Sequence, residues 1–167
     1  MHSFVYYSPT KVVFGKDTQK QAAKLAKEFG ASRVMIVYGS GSVVRSGLLA
    51  EIEAEMAQEG LPCCTLGGVQ PNPRTALARE GAKKAIEFGA DFILAVGGGS
   101  VIDTAKAVAH GAATPDVDLW EYWKGTKTVE RSLPVAVVLS LSAAGSATTD
   151  SAVLPHDGSG TSRGINT

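Results

Sequence analysis

Short runs that are apolar at consecutive positions alternate along this chain with stretches whose apolar residues recur every three to four positions. The runs are Arg33 to Tyr38, Asp91 to Val96 and Pro134 to Leu139, each closed by glycine or small polar residues. Consecutive apolar positions suit strands buried on both faces. Between them, Ala22, Leu25, Ala26 and Phe29 are spaced i, i+3, i+4, i+7, and Leu48, Leu49, Ile52 and Met56 repeat the spacing. Leu77, Gly81, Ala85 and Phe88 form a third helical stripe, and Val101, Ile102, Ala105, Val108, Ala109 and Ala112 a fourth. Gly30, Gly60 and Gly89 stand where left-handed helix caps belong, and Pro73 where a first helical turn accepts proline. Lys11 to Gly15 reads as an additional N-terminal strand and Leu61 to Leu66 as a third central one.

Strand alternating with helix predicts an open α/β fold: a mostly parallel sheet, right-handed crossovers and helices on both faces. Beyond Ser140 the character changes. Ser, Thr, Ala and Gly dominate, with Ala152 to Leu154 apolar, which reads as a loop and a hairpin, or as the opening of something longer.

Length changes this picture little, since 167 residues fit one domain. Sixteen basic side chains balance sixteen acidic ones, so the chain offers no cationic field for nucleic acid. No run of eighteen apolar residues exists to span a membrane, and Met1 to Phe4 lack the layout of a secretory signal. Adjacent Cys63 and Cys64 cannot form an ordinary disulfide, which points to a reduced, cytoplasmic protein. Glycine is the unusual count: 19 residues, concentrated in short clusters.

Ligands of open parallel sheets bind beyond the C-terminal strand ends. Gly97, Gly98, Gly99 and Ser100 lie at such an end, directly before a helix whose unpaired N–H groups and dipole can hold a phosphate. Three successive glycines exceed what a tight turn needs, which favours an anion site over a turn alone. Asp103, one turn into the helix, can accept from a ribose or nicotinamide group. The string matches neither G-x-G-x-x-G, because position 102 is Ile102, nor the G-K-[ST] of nucleotide hydrolases. Gly39, Ser40, Gly41 and Ser42 follow the preceding strand, with Arg45 close by. No carboxylate stands there to repel a 2′-phosphate, so this is a ribose-end loop or, equally, a ligand-free glycine loop. Other candidates favour structural roles. His2, His110 and His156 have no metal-ligand spacing and read as terminus, helix surface and loop. Cys63 and Cys64 point to opposite faces of a strand, Trp120, Tyr122 and Trp123 read as packing, and Asp116, Asp118 and Glu121 as a solvated acidic stretch. Ser142, Ser146 and Ser151 lack a nucleophile elbow.

Four strings occur in a telling order: Phe14-Gly15, then Gly67 to Pro73 with its Pro71-Asn72-Pro73, then Ala95 to Lys106 with G-G-G-S-x-x-D-x-x-K, then Leu139 to Ser146. They resemble the N-terminal half of the iron-containing, or group III, alcohol dehydrogenases, relatives of glycerol dehydrogenase and dehydroquinate synthase. The resemblance implies a Rossmann-like dinucleotide-binding domain over residues 1–167, with the helical domain that carries the metal ligands absent from the chain. It implies an NAD(P)-dependent alcohol–aldehyde oxidoreductase that transfers hydride, whose full-length form uses Fe2+ or Zn2+ and a small alcohol or aldehyde. On this resemblance Gly97, Gly98, Gly99 and Ser100 wrap the pyrophosphate, Asp103 faces the nicotinamide side and Asn72 belongs to the adenosine or phosphate surroundings. Ser140 and Ser146 line the nicotinamide end, and Arg163 stands near a lysine that meets the cofactor in some members. NAD-preferring members carry an aspartate at the place of Gly39, whereas NADP-preferring members resemble Gly39 to Ser42, so NADP is expected. The family string A-T-G-S-E is here Ala143-Ala144-Gly145-Ser146-Ala147, without the threonine hydroxyl and the glutamate. No catalytic or metal-binding residue is assigned, and the isolated chain is expected to bind nucleotide without catalysis. The alternative is a non-catalytic nucleotide-binding or interaction module. Family members are commonly dimers, with Phe4 to Tyr7 in the region that pairs.

Overall fold

The structure, a computed structural model, describes residues 9–39, 41–71, 74–140, 145–155 and 162–166. Four parallel strands form the central sheet: β1 (Val34–Gly39), β2 (Cys63–Val69), β3 (Phe92–Gly97) and β4 (Val135–Leu139), in the order β2-β1-β3-β4. The helices are α1 (Ala22–Glu28), α2 (Ser42–Arg45), α3 (Leu48–Gln58), α4 (Thr75–Phe88), α5 (Gly99–Ala113) and α6 (Leu119–Lys124). An antiparallel hairpin, β5 (Ser151–Pro155) and β6 (Ser162–Asn166), follows. The expected α/β fold is therefore present, and so is the hairpin expected beyond Ser140.

Alternation along each strand divides the core into two layers, because successive side chains leave opposite faces. Val34, Ile36, Phe92, Leu94 and Val96 pack on Ala23 and Ala26 of α1 and Ile52 and Met56 of α3. Met35, Val37, Ile93 and Ala95 pack on Ala85 of α4 and on Ile102, Ala105 and Val108 of α5. Cys63 and Cys64 divide in the same way, one to each layer, with burial raising both thiol pKa values. Gly30, Gly60 and Gly89 have φ values of 89°, 68° and 71°, in the left-handed region expected of helix-ending glycines.

Four expectations need correction. Lys11 to Gly15 forms no strand; Phe14 is almost fully exposed there, and no strand among the described residues pairs with this segment. The segment expected as a third central strand runs from Cys63 to Val69 and lies at one edge of the described sheet. Asp118 is more than a solvated acid: it caps α6 by accepting from the Trp120 N–H at 3.0 Å and takes two bonds from the Arg79 guanidinium, at 3.0 and 2.9 Å. His110, expected on a helix surface, is only 5% exposed. It is covered by a third cluster, in which Trp120, Tyr122 and Trp123 pack with Ala107 and with Ala152 and Leu154 of the hairpin. The apolar residues of α6 and of the hairpin have nowhere else to be buried, so they close over this end of α5. Among the described residues no helix is long and apolar enough to cross a membrane. Phe4 to Tyr7 and Pro73 lie outside the described residues.

Burial lowers the His110 pKa from 6.5 to about 4, and the Lys106 charge adds to the effect. Its Nδ1 is buried without a hydrogen-bond partner, and its ring centroid lies 6.2 Å from that of Trp123. The neutral ring is therefore the folded form. Between pH 4 and 6.5 the unfolded chain takes up the proton that the folded chain refuses, so stability rises with pH across this window and falls on acidification. Urea unfolding of the wild type at pH 7.0 and 5.0 should show a loss of at least ~1 kcal/mol that is absent in His110→Gln. Equal pH slopes for the two proteins would refute the assignment.

Candidate functional site

The chain passes from β1 outward to β2, then crosses back to β3 on the other side of β1. That reversal is the topological switch point, where two successive loops leave a crevice at the C-terminal strand ends. A cleft of about 370 Å³ opens there, lined by Gly39, Gly41, Ser42 and Arg45 after β1, by Val69, Gln70 and Pro71 after β2, and by Gly98, Gly99, Ser100 and Val101 after β3. Residues from both glycine clusters thus line one cavity, although about sixty positions separate them in the sequence.

The turn after β3 is built by close approach. A β-carbon on Gly97 would lie 2.6 Å from Val101 Cγ2 and 3.0 Å from Val101 Cβ, so any side chain there drives α5 off the strand end. Gly98 is the opposite case, because a β-carbon on it meets nothing within 4 Å. Its backbone is extended (φ −101°, ψ −166°), and its carbonyl accepts from Val101 N–H at 3.0 Å and Ile102 N–H at 3.1 Å. The N–H groups of Gly99 and Ser100 stand ahead of these first helical bonds, where a helix has donors but no acceptors of its own. They belong to residues lining the cleft, at the positive end of a fifteen-residue helix. The cradle fits an oxyanion such as a pyrophosphate. Across the cleft, the Arg45 guanidinium folds over Gly41, occupying the place of a residue-41 side chain.

The remaining expected site residues fall into three groups. Ser140 ends β4, and its N–H donates to the Gly97 carbonyl at 3.1 Å, which ties it to the glycine turn. Asp103 lies half-buried on the side of α5 that faces the hairpin, with its Oδ1 buried and without a hydrogen-bond partner. Burial is the largest influence on that carboxyl and raises its pKa, while the Val153 backbone, the Lys106 charge and Ser146 act in the opposite sense. Arg163 is exposed on β6, with Nη1 donating to the Lys124 carbonyl at 3.3 Å, and it does not line the cleft. Ser40 and Asn72 lie outside the described residues. Sequence reasoning passed over Gln70 and Val69 as cleft residues; the end of β2, where Val69 pairs with Gly39, was the available signal. It also left Lys106 without a role. Among the described residues no group of three or more His, Cys, Asp or Glu side chains could hold a metal ion.

An open parallel sheet with a glycine-rimmed crevice at its switch point defines the ligand-binding class of α/β domains. Within that class the chain belongs to the iron-containing alcohol dehydrogenase family, whose model matches residues 9–167. It is 44% identical over 146 residues to a probable NADH-dependent butanol dehydrogenase 2 of Bacillus subtilis, an alignment covering 87% of this chain and 37% of that protein. It is 34% identical to the NADPH-dependent aldehyde reductase YqhD of Escherichia coli, with 96% of this chain and 41% of that protein covered. The crystal structure of NADH-dependent butanol dehydrogenase A from Thermotoga maritima superposes with a TM-score of 0.96 at 33% identity, over 100% of this chain and 42% of that one. The chain thus spans about two-fifths of the length of these relatives.

The two glycines should respond differently to the same substitution. Gly97→Ala should lower the thermal midpoint by several degrees, the counterpart of ~1–3 kcal/mol of overpacking, whereas Gly98→Ala should melt with the wild type. Equal midpoints for the two variants, read by circular dichroism, would contradict the Val101 contact.

Proposed function

We propose that residues 1–167 form the nicotinamide-dinucleotide-binding domain of an alcohol–aldehyde oxidoreductase. The observation that carries this reading is the glycine cradle at the start of α5, placed in one cleft with the loop after β1. In it, Gly97 permits the close turn, Gly98, Gly99 and Ser100 offer backbone and hydroxyl donors to the pyrophosphate, and Gly39, Ser40, Gly41, Ser42 and Arg45 receive the adenosine ribose. Asn72 belongs to the adenosine or phosphate surroundings, Ser140 and Ser146 line the nicotinamide end, and Asp103 faces the nicotinamide side. Arg163, exposed on β6 and bonded to the Lys124 carbonyl, has no part in the described cleft. When bound, the nucleotide supplies the hydride acceptor or donor; the chain's own residues bind and orient it. The described residues offer no ligand set for a divalent ion.

NADP(H) is the form this cleft suits best. No carboxylate is among its described lining residues, and Arg45 places a fixed positive charge beside Gly41. NADH is the second reading, favoured by the B. subtilis relative at 44% identity, which is named for NADH.

Fluorescence titration with NADPH and NADH tests both. Absence of binding at millimolar concentration would sink the nucleotide reading altogether. A β-carbon on Gly39 would sit 3.6 Å from Val101 Cγ2 and 3.7 Å from the Val69 carbonyl oxygen, which is ordinary contact, so Gly39→Asp should fold. The new carboxylate should lower the NADPH-to-NADH affinity ratio about tenfold or more, through repulsion of the 2′-phosphate and acceptance from the 2′-hydroxyl. Arg45→Ala should weaken NADPH several-fold and leave NADH nearly unchanged. Tighter NADH binding by the wild type, with neither variant moving the ratio, would establish the second reading.

A further inference from the structure

Lys106 lies two turns along α5 from the glycine cradle, and its ammonium meets three backbone carbonyls. Nζ donates to Ser146 O at 2.8 Å, Thr149 O at 2.6 Å and Ser151 O at 2.7 Å. An ammonium has three donors, and all three are engaged by one short stretch of chain. Charge-assisted bonds of this kind are about twice as strong as neutral ones, and half-burial of the side chain shields them from water. Asp103, three residues earlier on the same helix, is close enough to the same segment for Ser146 and the Val153 backbone to favour its charged form. Side chains three apart share a helix face, so the carboxylate and the ammonium both face the segment that Lys106 holds.

From these contacts we infer that Lys106 is a positioning residue, which holds the segment after β4 at a set place along α5 and so fixes the nicotinamide end of the site relative to the pyrophosphate cradle. This rests on the nucleotide-binding reading above. The same helix starts at the cradle and carries the clamp ~10 Å further along its axis, so the two ends are spaced by one rigid element. The three carbonyls belong to the backbone, so the loop can be held this way whatever its side chains are. Ala147, inside the held stretch, supplies no polar side-chain tie of its own.

The test compares two ligands on the whole chain: the dinucleotide it binds more tightly, and the same molecule without the nicotinamide ring, ADP-ribose or its 2′-phosphate. Lys106→Met should weaken the dinucleotide about tenfold, while ADP-ribose binding stays within about twofold of the wild type. The enhanced emission of the bound dihydronicotinamide should fall in parallel. Lys106→Arg keeps the charge, but a planar fork cannot meet three convergent carbonyls, so it should show the same split at smaller amplitude. If Lys106→Met does not fold, the arginine variant carries the test. Equal weakening of both ligands, or no weakening of either, would overturn the positioning role. If the wild type binds neither ligand, the failure lies with the nucleotide reading instead.

Discussion

Val101 occupies the space that a side chain at position 97 would need, and the candidate site depends on that contact. Parallel pairing sets Tyr38 opposite Val96, so Gly39 and Gly97 emerge side by side at the ends of β1 and β3. With no β-carbon on Gly97, the first turn of α5 drops onto the sheet and its N-terminus comes to rest beside the loop after β1. The contact is unequal. The approach at Gly97 tolerates nothing larger than hydrogen, whereas that at Gly39 leaves ordinary van der Waals room. One glycine is therefore required by packing, and the other leaves room for a side chain that can select among ligands.

α5 then carries every level of the structure along its length. Its N-terminus rims the cleft, Ile102, Ala105 and Val108 fill one core layer, Lys106 holds the loop after β4, and His110 lies beneath the aromatic cluster. The buried polar groups follow different rules. Lys106 gains three carbonyl partners that offset its loss of water, while His110 is kept neutral by burial and by the Lys106 charge. A helix that carries its charged side chains, Asp103 and Lys106, at two fixed points resists sliding, since a shift of one residue would turn them toward the core.

Much of the site was legible because it is local. The G-G-G-S string adjoins a strand and opens a helix, so its donors could be inferred from neighbouring residues alone. The family resemblance extended that reading, and the match over residues 9–167 supports it. Contacts made by residues far apart along the chain were not legible. The Arg79 pair with Asp118, the Lys106 clamp on Ser146, Thr149 and Ser151, and the cover over His110 each join segments that periodicity treats separately. Lys11 to Phe14 shows the converse, since a short apolar run becomes a strand only where a neighbouring strand accepts its hydrogen bonds.

Periodicity and turn chemistry decided the kinds of element, their order and the two-sided burial of the strands, because each follows from interactions between residues a few positions apart. Tertiary packing decided that β2 lies at an edge, that both glycine loops line one cleft, that Lys106 holds the segment after β4 while Arg163 stays outside the cleft, and that His110 is buried. Those outcomes depend on which surfaces meet after the chain reverses between β2 and β3, and a linear pattern carries no record of that meeting.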